Sequence, residues 1–212
     1  MGETISEAIG ADHHSIDIYY DNIKNAVDDA AKVRWRNQLT WTLARHAISE
    51  ELTLYPAMEK HLGDIGVQLT KTDKEQHLGV KNYLYQVQDM SPTDPKFWPL
   101  LDDLMGVLHH HIEHEANEDM PRLEKLLPRA ESEALARDFQ RTKLIAPTRS
   151  HPDAPTQVHL ETLAGLLAAP LDYVRNMVRD FPTDSDQSEA DERIQSRKED
   201  RPNNAAESIK AR

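Results

Sequence analysis

Apolar residues recur at steps of three and four through most of residues 5–128, which gathers them on one face of a helix. No run alternates at the two-residue period of a strand. The pattern predicts an all-α protein. Its first helix spans about Ser6 to Ala31, with Ile5, Ile9, Ile16, Tyr20, Ile23 and Val27 on one face, and Thr4 with Glu7 reads as a capping box at its start. The second begins near Lys32 and reaches about His61, carrying Leu39, Leu43 and Ala57 inward, until Gly63-Asp64-Ile65-Gly66 breaks it. A third starts after Thr72, where Glu75 completes another capping box, and runs through Val80, Leu84 and Val87 to about Met90. Asp94 then suits a cap and Pro95 a first turn, so the fourth helix spans roughly Pro95 to Leu127. Pro56 and Pro121 lie inside or near the ends of the second and fourth helices, where kinks or terminations are expected.

Helices of this length on short connections predict an up-down-up-down four-helix bundle with antiparallel neighbours over residues 1–128. The periodicity weakens after Pro128. Glu131 to Gln140 reads as a short helix, Ala146 to Pro155 as a proline-rich connector, and Val158 to Asp180 as one or two helices interrupted at Pro170. Residues 129–182 are therefore expected to add C-terminal helices packed outside the bundle. Residues 183–212 are charged and small, with no aromatic, Leu or Val, and too little apolar surface to offset the entropy of ordering; a disordered tail is expected.

Polar residues interrupt the apolar stripes at related places. The inward track of the first helix reads Ile9, His13, Ile16, Tyr20, Ile23, Val27, and that of the second Leu39, Leu43, His46, Glu50, Thr53, Ala57. The third reads Asp73, His77, Val80, Leu84, Val87, and the fourth Leu101, Leu104, Leu108, His111, Glu115. These positions also form a repeat. His46, Glu50, Pro56 and Glu59-Lys60 recur at the same offsets as His111, Glu115, Pro121 and Glu124-Lys125, and His13 and His77 precede the two sets, each followed six residues on by tyrosine. The imidazoles and carboxylates would be costly to bury unpaired, and a bound metal would satisfy them together. Residues four apart on a helix lie one above the other, so each His-x-x-x-Glu pair presents a nitrogen and an oxygen toward one centre. Two such helices and two single-histidine helices make a two-metal site, with imidazoles capping each ion and Glu50 and Glu115 linking them. Its apolar wall would limit water and leave space for a small gas molecule.

Composition narrows the chemistry. With 37 acidic against 25 basic residues and a formal net charge of −12, the chain is unsuited to tracking nucleic-acid phosphates. It has no cysteine, so a metal must be held by imidazole and carboxylate, which suits iron, zinc or manganese. No apolar run is long enough to span a bilayer and no secretory leader opens the chain, so a cytoplasmic protein without a membrane partner is expected. Met1-Gly2-Glu3-Thr4-Ile5-Ser6 fits a loose N-myristoylation pattern, but Glu3 is unfavourable there and Thr4 reads better as a cap. No catalytic serine triad, phosphate-cradling glycine loop or HExxH string is present.

The chain resembles the hemerythrin-like proteins, the branch known as HHE cation-binding domains, and its C-terminal region is similar to extensions of fungal members. The resemblance is carried by Asp12-His13 with Ile16, His46-Ala-Ile-Ser-Glu50-Glu51 with Tyr55-Pro56, Glu75-Gln76-His77 with Val80, and His111-Ile-Glu-His-Glu115 with Pro121. It implies a non-haem centre of two iron ions, oxo- or hydroxo-bridged, that binds O2 or senses or handles oxygen or iron. His13, His46, Glu50, His77, His111 and Glu115 would take the ligand places. Oxygen-carrying members place a fifth histidine four residues before the third-helix one, where this chain has Asp73, and their last carboxylate is an Asp five residues after its histidine, whereas Glu115 follows His111 by four. Asp73 either ligates or only caps its helix. These departures keep a redox enzyme open as an alternative, with ferroxidase, peroxidase or nitric-oxide handling. A zinc or structural bundle acting through a partner is the third reading.

The other histidines, His14, His61, His109, His110, His114, His151 and His159, fall off the repeated positions and are expected mostly at the surface. The repeat and the leucine track select His111 over its neighbours His109 and His110. Glu51 is expected to be solvated or to support a ligand, and Tyr19, Tyr20, Tyr55 and Tyr83 mainly to pack.

Overall fold

A computed structural model describes residues 2–151, 172, 176 and 179–199. The fold is all-helical, with no strand among the described residues. Helix α1 is Ile5–Asn25 and α2 is Asp29–Ser49; a π-helical turn, Glu50–Leu54, continues α2 into α3, Tyr55–Leu62. Helix α4 is Asp64–Val87 and α5 is Phe97–His114, which passes through a second π-helical turn, Glu115–Asp119, into α6, Met120–Glu124. Helix α7, Arg129–Lys143, and α8, Asp184–Glu199, lie outside this bundle. Among the described residues no helix is long and apolar enough to cross a membrane.

Several boundaries differ from the sequence reading for local reasons. The Thr4–Glu7 capping box is present, but α1 stops at Asn25, because Asp28 accepts a hydrogen bond from the Ala31 amide at 2.7 Å and opens α2 three residues early. Val27 therefore sits on the connection, 72% exposed, instead of on an inward face. The third bundle helix does not wait for Thr72: Gly63, with φ of 60°, turns the chain in a conformation that disfavours a Cβ, and α4 begins at once. Thr72 lies inside α4, its hydroxyl donating to the Gln68 carbonyl. Helix α5 begins at Phe97, two residues after Pro95, with Asp94 accepting from the Lys96 amide.

The two prolines do more than kink their helices. Pro56 and Pro121 lack the N–H of a regular ladder, and the residue before each donates to the carbonyl five back: Tyr55 to Glu50, Met120 to Glu115. Each π turn adds a residue and moves the inward face by one. Leu54 and Met58 are fully buried, whereas Thr53 and Ala57 are only half-buried.

The core falls into two apolar clusters. Ile16, Ile23, Trp35, Leu39, Leu43, Val80, Leu84, Phe97, Leu101 and Leu108 form one, and Ile5, Ile9, Leu54, Tyr55, Met58, Leu123 and Phe139 form the other. Each fully buried Leu or Ile is worth about 1.5–3 kcal/mol. Helix α7 closes the second cluster with Ala136 and Phe139, and Ile5 donates its amide to Ser132 at its base.

Helix α8 corrects the expectation of disorder from residue 183. Arg34 grips Asp186 through two hydrogen bonds of 2.7 Å, Ala190 is buried in the first cluster, and Arg193 reaches Asn22 and the Asn25 carbonyl. Charge-assisted docking thus orders a segment with little apolar surface. Residues 200–212 lie outside the described residues, as does most of Val158–Asp180, where further helices were expected.

Gly66 permits the close crossing of α3 and α4, since a Cβ there would stand 2.2 Å from the Met58 carbonyl oxygen. Gly66→Ala should destabilise the protein by about 1–3 kcal/mol, whereas Gly79→Ala, with open space around it, should not. Urea denaturation of both variants checks this.

Candidate metal centre

Between the two apolar clusters lies a layer of polar side chains. His13 stands between Ile9 of one cluster and Ile16 of the other, His46 between Leu43 and Leu54, and His111 between Leu108 and Leu123. His77 enters from α4, and Glu50 and Glu115 enter from the first residues of the two π turns. His46, Glu50, His77, His111 and Glu115 are at most 1% exposed, and His13 8%. His109 and His110, by contrast, are exposed.

The donor atoms form two groups that share Glu50. In one, His13 Nε2 lies 3.1 Å from His46 Nε2, and Glu50 Oε1 is 3.0 Å from His46 Nε2 and 3.9 Å from His13 Nε2. In the other, His77 Nε2 lies 3.0 Å from His111 Nε2, and Glu50 Oε2 is 3.2 Å and 4.0 Å from those nitrogens. Glu115 Oε2 stands 3.5 Å from both His13 Nε2 and His111 Nε2, joining the groups from the other side.

Despite these approaches, neither oxygen of Glu50 nor of Glu115 has a hydrogen-bond partner. The atoms aim at common points and not at one another. Ligands bound at about 2.1 Å to one ion at right angles sit about 3 Å apart, the spacing of the closer donor pairs here. Each group, with two imidazoles and one oxygen of Glu50, is a donor set that could hold a cation.

Outer groups fix three of the four imidazoles. His46 Nδ1 faces Asp12 Oδ2 at 3.3 Å, and Asp12 is held by Lys143 of α7 at 2.7 Å. His77 Nδ1 faces Glu51 Oε1 at 2.9 Å, and Glu51 is held by Lys81 at 2.7 Å. His111 Nδ1 meets Gln76 Oε1 at 2.9 Å. Engaging Nδ1 turns Nε2 into the layer and sets the tautomer a metal requires. Glu51 is thus a buried partner of His77, and Asp12, Gln76 and the distant Lys143 complete the outer set. The fully buried Tyr55 hydroxyl lies 3.0 Å from His77 Nε2.

The electrostatics record the strain of this layer. Burial and the neighbouring His46 push His13 down to about 3, and burial with His77 pushes His111 down to about 2. Burial also opposes charge on His46, but Glu50 and Asp12 overcome it and raise the imidazole to about 9. Glu50 is held well below the usual carboxylate range, burial being outweighed by His46 and His77. Glu115 is driven well above it by burial and by Glu50.

These residues all lie within a stretch that matches a known family. The model of the hemerythrin HHE cation-binding domain matches residues 4–123, more than half of the chain. The chain belongs to the hemerythrin HHE family. It is 45% identical over 178 residues to an uncharacterized hemerythrin-like protein of Schizosaccharomyces pombe, covering 84% of this chain and 88% of that one. It is also 23% identical over 139 residues to a DNA nickase of a Nostoc species, covering 66% of this chain and 39% of the nickase. No solved structure matches it.

Within this hemerythrin-like bundle, Asp73 is fully buried but faces His114 and Asp119, apart from the two groups around Glu50. His114 is accordingly not a plain surface residue. Asp119 escapes the heptad track because the π turn shifts it inward in place of Glu118; Pro121 is the only signal in the sequence that could have revealed it.

Removing an outer group should loosen the layer without removing a donor. Asp12→Asn should weaken metal binding about 10–100-fold, as loss of an imidazole's supporting partner commonly does, and Lys143→Ala, which reaches His46 only through Asp12, by less. Competition against a chelator of known affinity measures this.

Proposed function

We propose that this hemerythrin-like domain holds two iron ions in the polar layer, and through them binds O2 or reports its presence. The observation that carries the reading is the doubled donor set, two imidazole pairs on either side of one bridging carboxylate, with no hydrogen bond to quench the carboxylate oxygens. Imidazole with carboxylate suits iron, zinc or manganese, and the absence of cysteine removes the thiolate that would favour copper(I). Iron bound here would supply reversible one-electron exchange and affinity for a small diatomic ligand or peroxide.

The chain's own residues set the conditions for that chemistry. His13, His46, Glu50, His77, His111 and Glu115 are six donors for two ions, fewer than two full coordination shells, so positions remain for an exogenous ligand. The apolar clusters above and below restrict that ligand to a small molecule and exclude bulk water. Tyr55 is kept protonated well above its ordinary value by burial and by Glu115, and so offers an O–H donor beside His77.

A second reading, a di-iron redox enzyme acting on peroxide, nitric oxide or ferrous iron, is favoured by the placement of Asp73 away from the layer. One imidazole fewer leaves a more open donor set than an oxygen carrier has.

Anaerobic loading of the full chain with ferrous iron, followed by absorption spectra before and after air, tests the proposal. About two irons per chain, a near-ultraviolet band on aeration and loss of both in His46→Ala and His111→Ala are expected. Binding of less than about one iron, or unchanged loading in the variants, would overturn it. Turnover of peroxide or nitric oxide would select the second reading, and zinc retained in protein from iron-replete cells would favour a structural bundle.

A further inference from the structure

A third cluster of donors stands beside the layer. Asp73 on α4, His114 at the end of α5 and Asp119 at the end of the second π turn bring one donor atom each to within 4.8 Å of one another. His114 Nδ1 lies 3.3 Å from Asp73 Oδ1 and 3.2 Å from Asp119 Oδ2. Both carboxylates are fully buried, yet all four of their oxygens and His114 Nδ1 lack a hydrogen-bond partner. One imidazole nitrogen carries at most one proton and could satisfy only one of those oxygens. Two adjacent unpartnered carboxylates inside a protein repel each other and carry a desolvation cost that a single imidazole does not offset.

We propose that Asp73, His114 and Asp119 form a mononuclear site for a divalent first-row transition cation, separate from the paired centre. One imidazole and two carboxylates are a donor set for manganese, ferrous iron, cobalt or zinc, and three protein ligands leave the remaining positions to water. The backbone builds the site through its irregularity. His114 and Asp119 are five residues apart, which a regular helix would splay, but the π turn between them stacks i over i+5. Asp73 lies one turn of α4 before His77, roughly 6 Å along the helix, so the site adjoins the layer without sharing its donors. His114, with a quarter of its side chain exposed, opens the site to solvent, so its ion exchanges more readily than those in the closed layer.

The site is independent of whether the layer holds iron, and cobalt(II) binding by the full chain under anaerobic equilibrium dialysis tests it. Asp119→Asn and His114→Gln should each bind one cobalt fewer per chain than the unaltered protein. His114 is partly exposed, so its replacement should leave the fold intact, which circular dichroism verifies. The double variant His46→Ala/His111→Ala, which dismantles the layer, should keep the equivalent that Asp119→Asn removes. Equal cobalt binding by His114→Gln and the unaltered chain would overturn the proposal, as would loss of that equivalent from the double variant. If instead the layer binds nothing, the unaltered chain takes up one cobalt that Asp119→Asn abolishes, and the failure is assigned to the paired centre.

Discussion

Four imidazoles and two carboxylates buried in one layer, with apolar clusters on both sides, are the constraint around which this bundle is arranged. Leaving an ion unpaired in such a place costs several kcal/mol, a large part of the roughly 5–15 kcal/mol by which a domain of this size is stable. Within it, burial and close charges shift Glu50 and Glu115, and His46 and His13, in opposite directions. Two cations would relieve all four groups at once.

The rest of the molecule holds that layer in place. Pro56 and Pro121 each force a π turn that starts at a layer carboxylate, so the same local event ends a regular helix and sets the phase of the helix after it. Helix α7 lies outside the bundle, yet it reaches the layer through Lys143 and Asp12 and through Phe139, whose ring meets His46 edge-on at 5.9 Å. Helix α7 therefore touches the layer's surroundings as well as covering the second apolar cluster.

How far the sequence could be read depended on whether a feature was local. The helical class and the duplicated His-x-x-x-Glu pattern rest on short-range periodicity, and the all-helical fold agrees with the first. Departures came at positions where one residue changes the local geometry: Asp28 capping α2 early, Gly63 turning the chain directly into α4, and the prolines shifting the phase by one. That last shift buries Asp119 and turns His114 toward it, which a track of threes and fours cannot show. Helix α8 was hidden for a different reason. Its docking rests on Arg34, far away in the chain, and not on any apolar pattern of its own.

If the layer's donors converge on two points, one on each side of Glu50, two ions must stand there in the loaded protein. Anomalous diffraction at the iron edge from crystals grown after anaerobic iron loading tests this most directly. Two peaks are expected within the layer, one among His13, His46 and Glu50 Oε1 and one among His77, His111 and Glu50 Oε2. A layer with no peak, or with a single peak ignoring one imidazole pair, would contradict it.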